Sequence, residues 1–246
     1  MPLLEVRGLS FSFPDGRRAL NGVTLTLYEG EKLALAGSNG SGKSTLLLHL
    51  AGCLTAQEGE VLLRGNPTAD DLEGLRRSVG LSFQEPDDQF FMPQVLEDVA
   101  FGLVARGIPP AEAQRRALET LSSLGVAHLV PRFPHRLSGG EKRMAALAGI
   151  LAMRPDVLLL DEPTAALDPR ARRRVIEVLK GLETPLILAT HDLDMALDVC
   201  PRTVLLHDGT AAAEGATAEL LQDESLLLAH GLELPLSCGG TRDRRR

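Results

Sequence analysis

The stretch Gly37–Thr45, reading GSNGSGKST, limits what this chain can fold into more than any other. Two glycines, a lysine and a hydroxyl residue at this spacing fit a phosphate-binding loop, and the flanks supply the context that gives the pattern meaning. Leu33 to Ala36 before it are apolar or small and Leu46 to Leu50 after it form an apolar helical run, so the loop joins a buried strand to a helix. Gly37, Gly40 and Gly42 leave no Cβ between backbone and phosphate, so successive N–H groups can turn inward as an anion-binding nest at a helix N-terminus. Lys43 carries an ammonium for the β- and γ-phosphates of a nucleotide, Ser44 a hydroxyl for Mg²⁺, and Thr45 a donor for a neighbouring phosphate; Ser38, Asn39 and Ser41 complete the loop. The bland alternative is a Gly/Ser turn entering a helix.

A chain of 246 residues holds one large domain or two small lobes and buries enough surface to stand without disulfides. Net charge is −7, with no basic stripe before the last few residues, which argues against nucleic acid as a partner. Cys53, Cys200 and Cys238 are odd in number and far apart, as expected of a reducing compartment and not of a CxxC metal site. No apolar run approaches the roughly 20 residues a bilayer demands, so a role at a membrane implies docking to another subunit.

Along the chain, Leu3–Arg7 and Val23–Tyr28 alternate as antiparallel strands around the turn at Pro14-Asp15-Gly16. Strands are also expected at Lys32–Ala36, around Glu60–Leu63 and at Val79–Phe83, which ends at Gln84. Residues 85–155 read as an inserted helical lobe, with helices at Val95–Ala105 and Pro110–Leu124; Ala113, Ala117, Leu118, Leu121 and Leu124 are assigned to the apolar face of the second. Val157–Leu160 and Leu186–Ala189 are wholly apolar, as parallel strands covered on both faces must be, and functional groups gather at their carboxyl ends. Thr203–His207 is a further strand and Thr217–Leu232 holds two short helical pieces. One α/β domain over 1–236 is expected, followed by a disordered tail, 237–246.

Asp161 and Glu162 follow a buried strand directly and point differently, so they can serve two tasks: Asp161 holding Mg²⁺, and Glu162 acting as general base on water at a γ-phosphate. A solvated acidic turn is the other reading. Ser138 and Glu141 form a capping box, which needs no ligand, yet Gly139 and Gly140 beside them also expose a positive helix end to an anion.

Taken in order, GSNGSGKST, LSGGE, LLLLDEPTAALDP and ATHD resemble the ATPase subunits of ATP-binding cassette (ABC) transporters over nearly the whole chain. The resemblance implies a P-loop NTPase cassette of α/β class, with a mixed sheet core, an antiparallel β subdomain and an inserted helical subdomain. It implies two cassettes clamping two ATP molecules head to tail, each phosphate loop facing the Ser138-Gly139-Gly140 helix of a second copy or a paralogue. Carried over, Phe13 stacks on adenine, Gln84 contacts Mg²⁺ and the attacking water, Asp168 lies between the two sites and His191 braces the γ-phosphate. Asp168-Pro169 is equally a helix cap, and His191 equally a loop histidine.

FQEPDDQFF at Phe83–Phe91, EDVAFG at Glu97–Gly102, LAGILAMRP at Leu147–Pro155 and AHGLELP at Ala229–Pro235 resemble the ATPases of energy-coupling factor importers, above all the cobalt and nickel type. That likeness implies a place on the cytoplasmic face of the membrane, a membrane coupling protein docked near Gln84, Asp87 and Asp88 through an arginine, and a substrate-binding membrane subunit reached indirectly. Asp87 and Asp88 are as readily a solvated acidic turn. An importer of a vitamin or another substrate is the alternative; a soluble cassette ATPase and a nucleotide-sensing module are the non-transport ones. Phe13 departs from a frequent tyrosine. Met144 stands where the family usually has arginine, and adjacent Arg143 points about 100° away around a helix.

Overall fold

The computed structural model describes residues 1–238; most of the tail expected to be disordered, 239–246, lies outside the described residues. The chain forms two compact units, residues 1–76 with 185 onward, and residues 77–184.

The first unit opens with β1 (Pro2–Ser12) and β2 (Arg18–Tyr28), an antiparallel pair longer than the alternation suggested. Leu4 and Val6 are buried between outward-facing Glu5 and Arg7, and at Gly8, with φ +59, the register with both neighbouring strands shifts. β3 (Lys32–Ala36) leads into α1 (Lys43–Leu50), followed by β4 (Glu58–Leu63), the short β5 (Asn66–Pro67) and α2 (Leu72–Ser78). β4 pairs antiparallel with β1, giving a sheet in the order β2-β1-β4-β5.

The second unit contains β6 (Val79–Ser82), α3 (Val95–Ala105), α4 (Pro110–Ser123), α5 (Gly139–Ala152), β7 (Val157–Asp161) and α6 (Pro169–Gly181). β6 and β7 pair in parallel, Val79 opposite Val157. Leu118 is not on the core face of α4: it is 45% exposed, while Ala113, Ala117 and Leu121 are buried. Those three stand at i, i+4 and i+8 on one stripe, from which Leu118 turns away by one residue's rotation.

The chain then returns to the first unit with β8 (Leu186–Thr190), α7 (Leu193–Val199), β9 (Arg202–His207), β10 (Thr210–Ala216), α8 (Thr217–Leu220) and α9 (Glu224–Ala229). β3 lies between β8 and β9, parallel to both, and β10 closes the outer edge antiparallel to β9. Leu33, Ala34, Leu35 and Ala36 are fully buried, as a central parallel strand requires. Arg202 ties the start of β9 to the β2–β3 turn, its Nε donating to Glu31 at 2.7 Å and its Nη2 at 2.8 Å.

Candidate nucleotide site

The phosphate loop runs from the carboxyl end of β3 into α1. Gly42, at φ +106, stands at the N-cap with no side chain capping the helix and no acidic residue in the first turn, so the leading N–H groups and the positive helix end are left for an anion. Lys43 is 6% exposed, and its Nζ donates to the carbonyls of Gly37 at 2.8 Å and Ser38 at 3.1 Å. The ammonium is thereby folded back over the loop it serves. Ser41 is buried beneath, its carbonyl accepting from Gly209 N–H at 3.0 Å, while Asn39, Gly40 and Ser44 are exposed and Ser38 and Thr45 half-buried.

The glycines have a reason that the sequence reading did not supply. A Cβ on Gly37 would stand 2.4 Å from the Leu206 carbonyl oxygen, and one on Gly42 2.6 Å from that of Ala19, so both let the loop lie directly on neighbouring backbone. Only Gly40, at φ +84, would project a Cβ into open space.

Phe13 sits half-buried in the β1–β2 connection, whose turn is closed by Gly16 N–H donating to its carbonyl at 2.9 Å. The Arg17 guanidinium lies 4.7 Å from its ring centroid, and Phe11 meets it edge-on at 5.2 Å. His191 follows β8 and is exposed; the next residue, Asp192, caps α7 by accepting from Met195 N–H at 3.0 Å.

The other predicted residues belong to the second unit. Asp161 ends β7, buried, and Glu162 next to it is 6% exposed with φ +45, a left-handed conformation that a residue with a Cβ adopts only against strain. Such strain collects at functional positions. Asp168 does cap α6, accepting from Arg170 N–H at 2.9 Å and Ala171 N–H at 3.1 Å.

At the start of α5 the capping box is complete: the Glu141 carboxylate accepts from Ser138 N–H and from its hydroxyl, both at 2.8 Å, and Glu141 N–H reaches Ser138 Oγ at 3.4 Å. Those bonds, the one from the Ser138 backbone first, hold the Glu141 carboxyl below its ordinary value. Gly140 has a packing reason as well, since its Cβ would come within 2.6 Å of Ala171 Cβ on α6; Gly139 has room and remains exposed.

Gln84 is exposed beyond the end of β6, and its carbonyl accepts from Arg143. Asp87 is already paired, with Lys142 Nζ at 2.7 Å, whereas Asp88 lines a cavity of about 170 Å³ with Phe83, Phe91, Asp98, Phe101 and Met153. Phe91 is 71% exposed. Burial pushes the Asp98 carboxyl up, against the opposing pull of the Phe91 and Met92 N–H groups that it accepts.

A capless helix start behind a lysine-clamped glycine loop, on an α/β scaffold, defines a phosphate-loop NTPase. The particular family follows from comparison with known proteins. Residues 20–165 match the ABC transporter family, and the chain belongs to it, as an ATPase that binds ATP. It is 48% identical over 239 residues to a putative ABC transporter ATP-binding protein of Geobacter sulfurreducens, covering 97% of this chain and 96% of that one. It is 46% identical to the cobalt import ATP-binding protein CbiO of Rhodobacter capsulatus, covering 96% and 86%. The solved structure of cbiO1 from Clostridium perfringens, described as part of the ABC transporter complex cbiONQ, superposes with a TM-score of 0.82 at 35% identity over 93% of this chain and 94% of that one. A dimeric bacterial ABC transporter cassette gives a TM-score of 0.79 at 29% identity, covering 87% and 99%. The expected cassette fold is therefore the observed one.

Proposed function

We propose that this chain is the ATP-hydrolysing subunit of an energy-coupling factor ABC importer for cobalt or nickel ions, peripheral on the cytoplasmic face of the membrane. The observation that carries the reading is the 46% identity, over 96% of the chain, to a protein named for cobalt import. Among the described residues no helix is long and apolar enough to cross a membrane. In this reading membrane subunits supply the transport path.

In this reading the loop N–H groups and Lys43 hold the phosphates of ATP, and Phe13 stacks on the adenine by the ring face that Arg17 does not cover. Ser44, Asp161 and Gln84 suit Mg²⁺ by their chemistry, a hydroxyl, a carboxylate and an amide oxygen, all hard donors. In this reading the ion takes its remaining ligands from the phosphates. When bound, the ion neutralises charge on those phosphates. Glu162 takes the proton of the attacking water, and His191 braces the γ-phosphate. A second copy or a paralogue supplies Ser138, Gly139 and Gly140 to the same nucleotide, with Asp168 between the two sites.

The membrane coupling protein seats on the Phe83, Phe91 and Phe101 surface beside Gln84. Its arginine pairs with Asp88, since Asp87 is engaged by Lys142. The test is uptake into vesicles by the chain assembled with the membrane proteins encoded beside it. Cobalt or nickel should enter on ATP addition and stop with Glu162→Gln; uptake of a vitamin with no metal ion would overturn the substrate assignment.

A further inference from the structure

Arg143 is among the most buried charged residues of the second unit, 2% exposed, on the first turns of α5. Its hydrogen bonds go to main-chain carbonyls: Nη1 to Phe83 at 2.7 Å and Nη2 to Gln84 at 2.6 Å. Its Nε is buried without a hydrogen-bond partner. Glu85 and Asp161 draw on its charge from a distance, and burial still leaves its pKa below the ordinary value.

Such a placement contributes little to stability, because a buried cation is costly to desolvate and an apolar side chain of like volume is often as good or better. What the guanidinium does supply is direction: a planar fork fixes two successive carbonyls at once. The neighbouring residue works on the same segment from its other end, Lys142 holding Asp87 at 2.7 Å. Residues 83–87 are thus clamped at both ends to the helix that begins at Ser138-Gly139-Gly140.

We propose that Arg143 is the positioning residue that joins the start of α5 to the Gln84 loop as one mechanical piece, so that a phosphate met at the helix start sets the aim of the Gln84 side chain in the same chain. The inference rests on the ATPase reading above. Met144, at the position where the resemblance leads one to expect arginine, is buried as well, so the brace is specific to Arg143.

The test compares Arg143→Met, Arg143→Lys and the double variant Arg143→Met/Met144→Arg in the full-length protein. It reads steady-state ATP hydrolysis, thermal midpoint and amide hydrogen exchange. For Arg143→Met, kcat should fall about tenfold with KM changed less than about twofold, the size expected when a reacting group is slightly misplaced. Exchange should rise at residues 83–88 and not across β7 or α4. Arg143→Lys, which keeps the charge and can reach a carbonyl, should recover part of kcat, and moving the arginine to 144 should not. Wild-type turnover by Arg143→Met overturns the inference. So does a rise in exchange spread evenly over the unit, or a loss of rate that lysine does not mend and that tracks the thermal midpoint. An absence of ATP hydrolysis by the wild-type chain in its assembled transporter would instead remove the ATPase reading, and exchange at 83–88 would then decide the brace by itself.

Discussion

Alanine at Gly37 separates two explanations of the phosphate loop. If the glycines served only to admit phosphate, Gly37→Ala would weaken nucleotide binding and leave the free protein as stable as before. The structure places the new Cβ 2.4 Å from the Leu206 carbonyl oxygen and 2.6 Å from Ser41 Oγ, where ordinary contact begins at 3.4 Å. The loop and β9 must therefore part by 1.0 Å (3.4 − 2.4) along that direction. Both sides are backbone or buried, so overpacking costs about 2–3 kcal/mol. Gly42→Ala meets the Ala19 carbonyl at 2.6 Å and adds left-handed strain at φ +106, for a total of about 3–5 kcal/mol. Gly40→Ala meets nothing within 4 Å and bears only the conformational term, about 1 kcal/mol. Urea unfolding of the three variants without nucleotide measures this order, and a fluorescent ATP analogue measures binding. Gly37→Ala unfolding at the wild-type midpoint would refute the close-packed loop.

Lys43→Met removes the ammonium that bridges two loop carbonyls, and ATP affinity should drop about a hundredfold, the scale of a charged hydrogen bond to phosphate; titration calorimetry giving less than about threefold would place the lysine outside the site. Ser138→Ala breaks the capping box and should destabilise the protein by about 1 kcal/mol, read as a shift in the urea midpoint, and an unchanged midpoint would show that the box carries no weight. Glu31 gives a pH dependence. Burial alone would raise its carboxyl, but bonds from Arg202 and the Tyr28 N–H bring it below its ordinary 4.5. Its stabilisation is therefore full above that value and lost as pH falls through the lower native one, so Glu31→Gln should flatten acid unfolding, and parallel curves would contradict the pairing.

Elements with an internal signal were legible in the sequence. The loop, the buried strands at 33–36 and 157–160 and the capping box declare themselves through spacing or through unbroken apolar runs. β10 did not, because Thr-Ala-Ala-Ala-Glu-Gly-Ala has neither β-branched content nor alternation and becomes a strand only by pairing with β9. Helical periodicity places Leu118 on the apolar face, but it lies off the buried stripe by one residue of rotation and is exposed. The packing reasons for Gly37, Gly42 and Gly140 depend on Leu206, Ala19 and Ala171, partners remote in sequence, so no local pattern could reveal them. Arg143 is visible in the sequence only as a neighbour of Met144; its role depends on the Phe83 and Gln84 carbonyls, about 60 residues earlier in the chain, which no local pattern links to it.

In the proposed transporter a single chain carries half of each ATP pocket, and a second copy or a paralogue completes it. Light scattering on size-exclusion of Glu162→Gln, with and without Mg²⁺-ATP, measures that pairing. ATP should convert monomer to dimer, and the same addition should leave Glu162→Gln/Ser138→Arg monomeric. A variant that binds ATP at full affinity and stays monomeric at every protein concentration, alone and when mixed with a paralogous cassette, would contradict the claim.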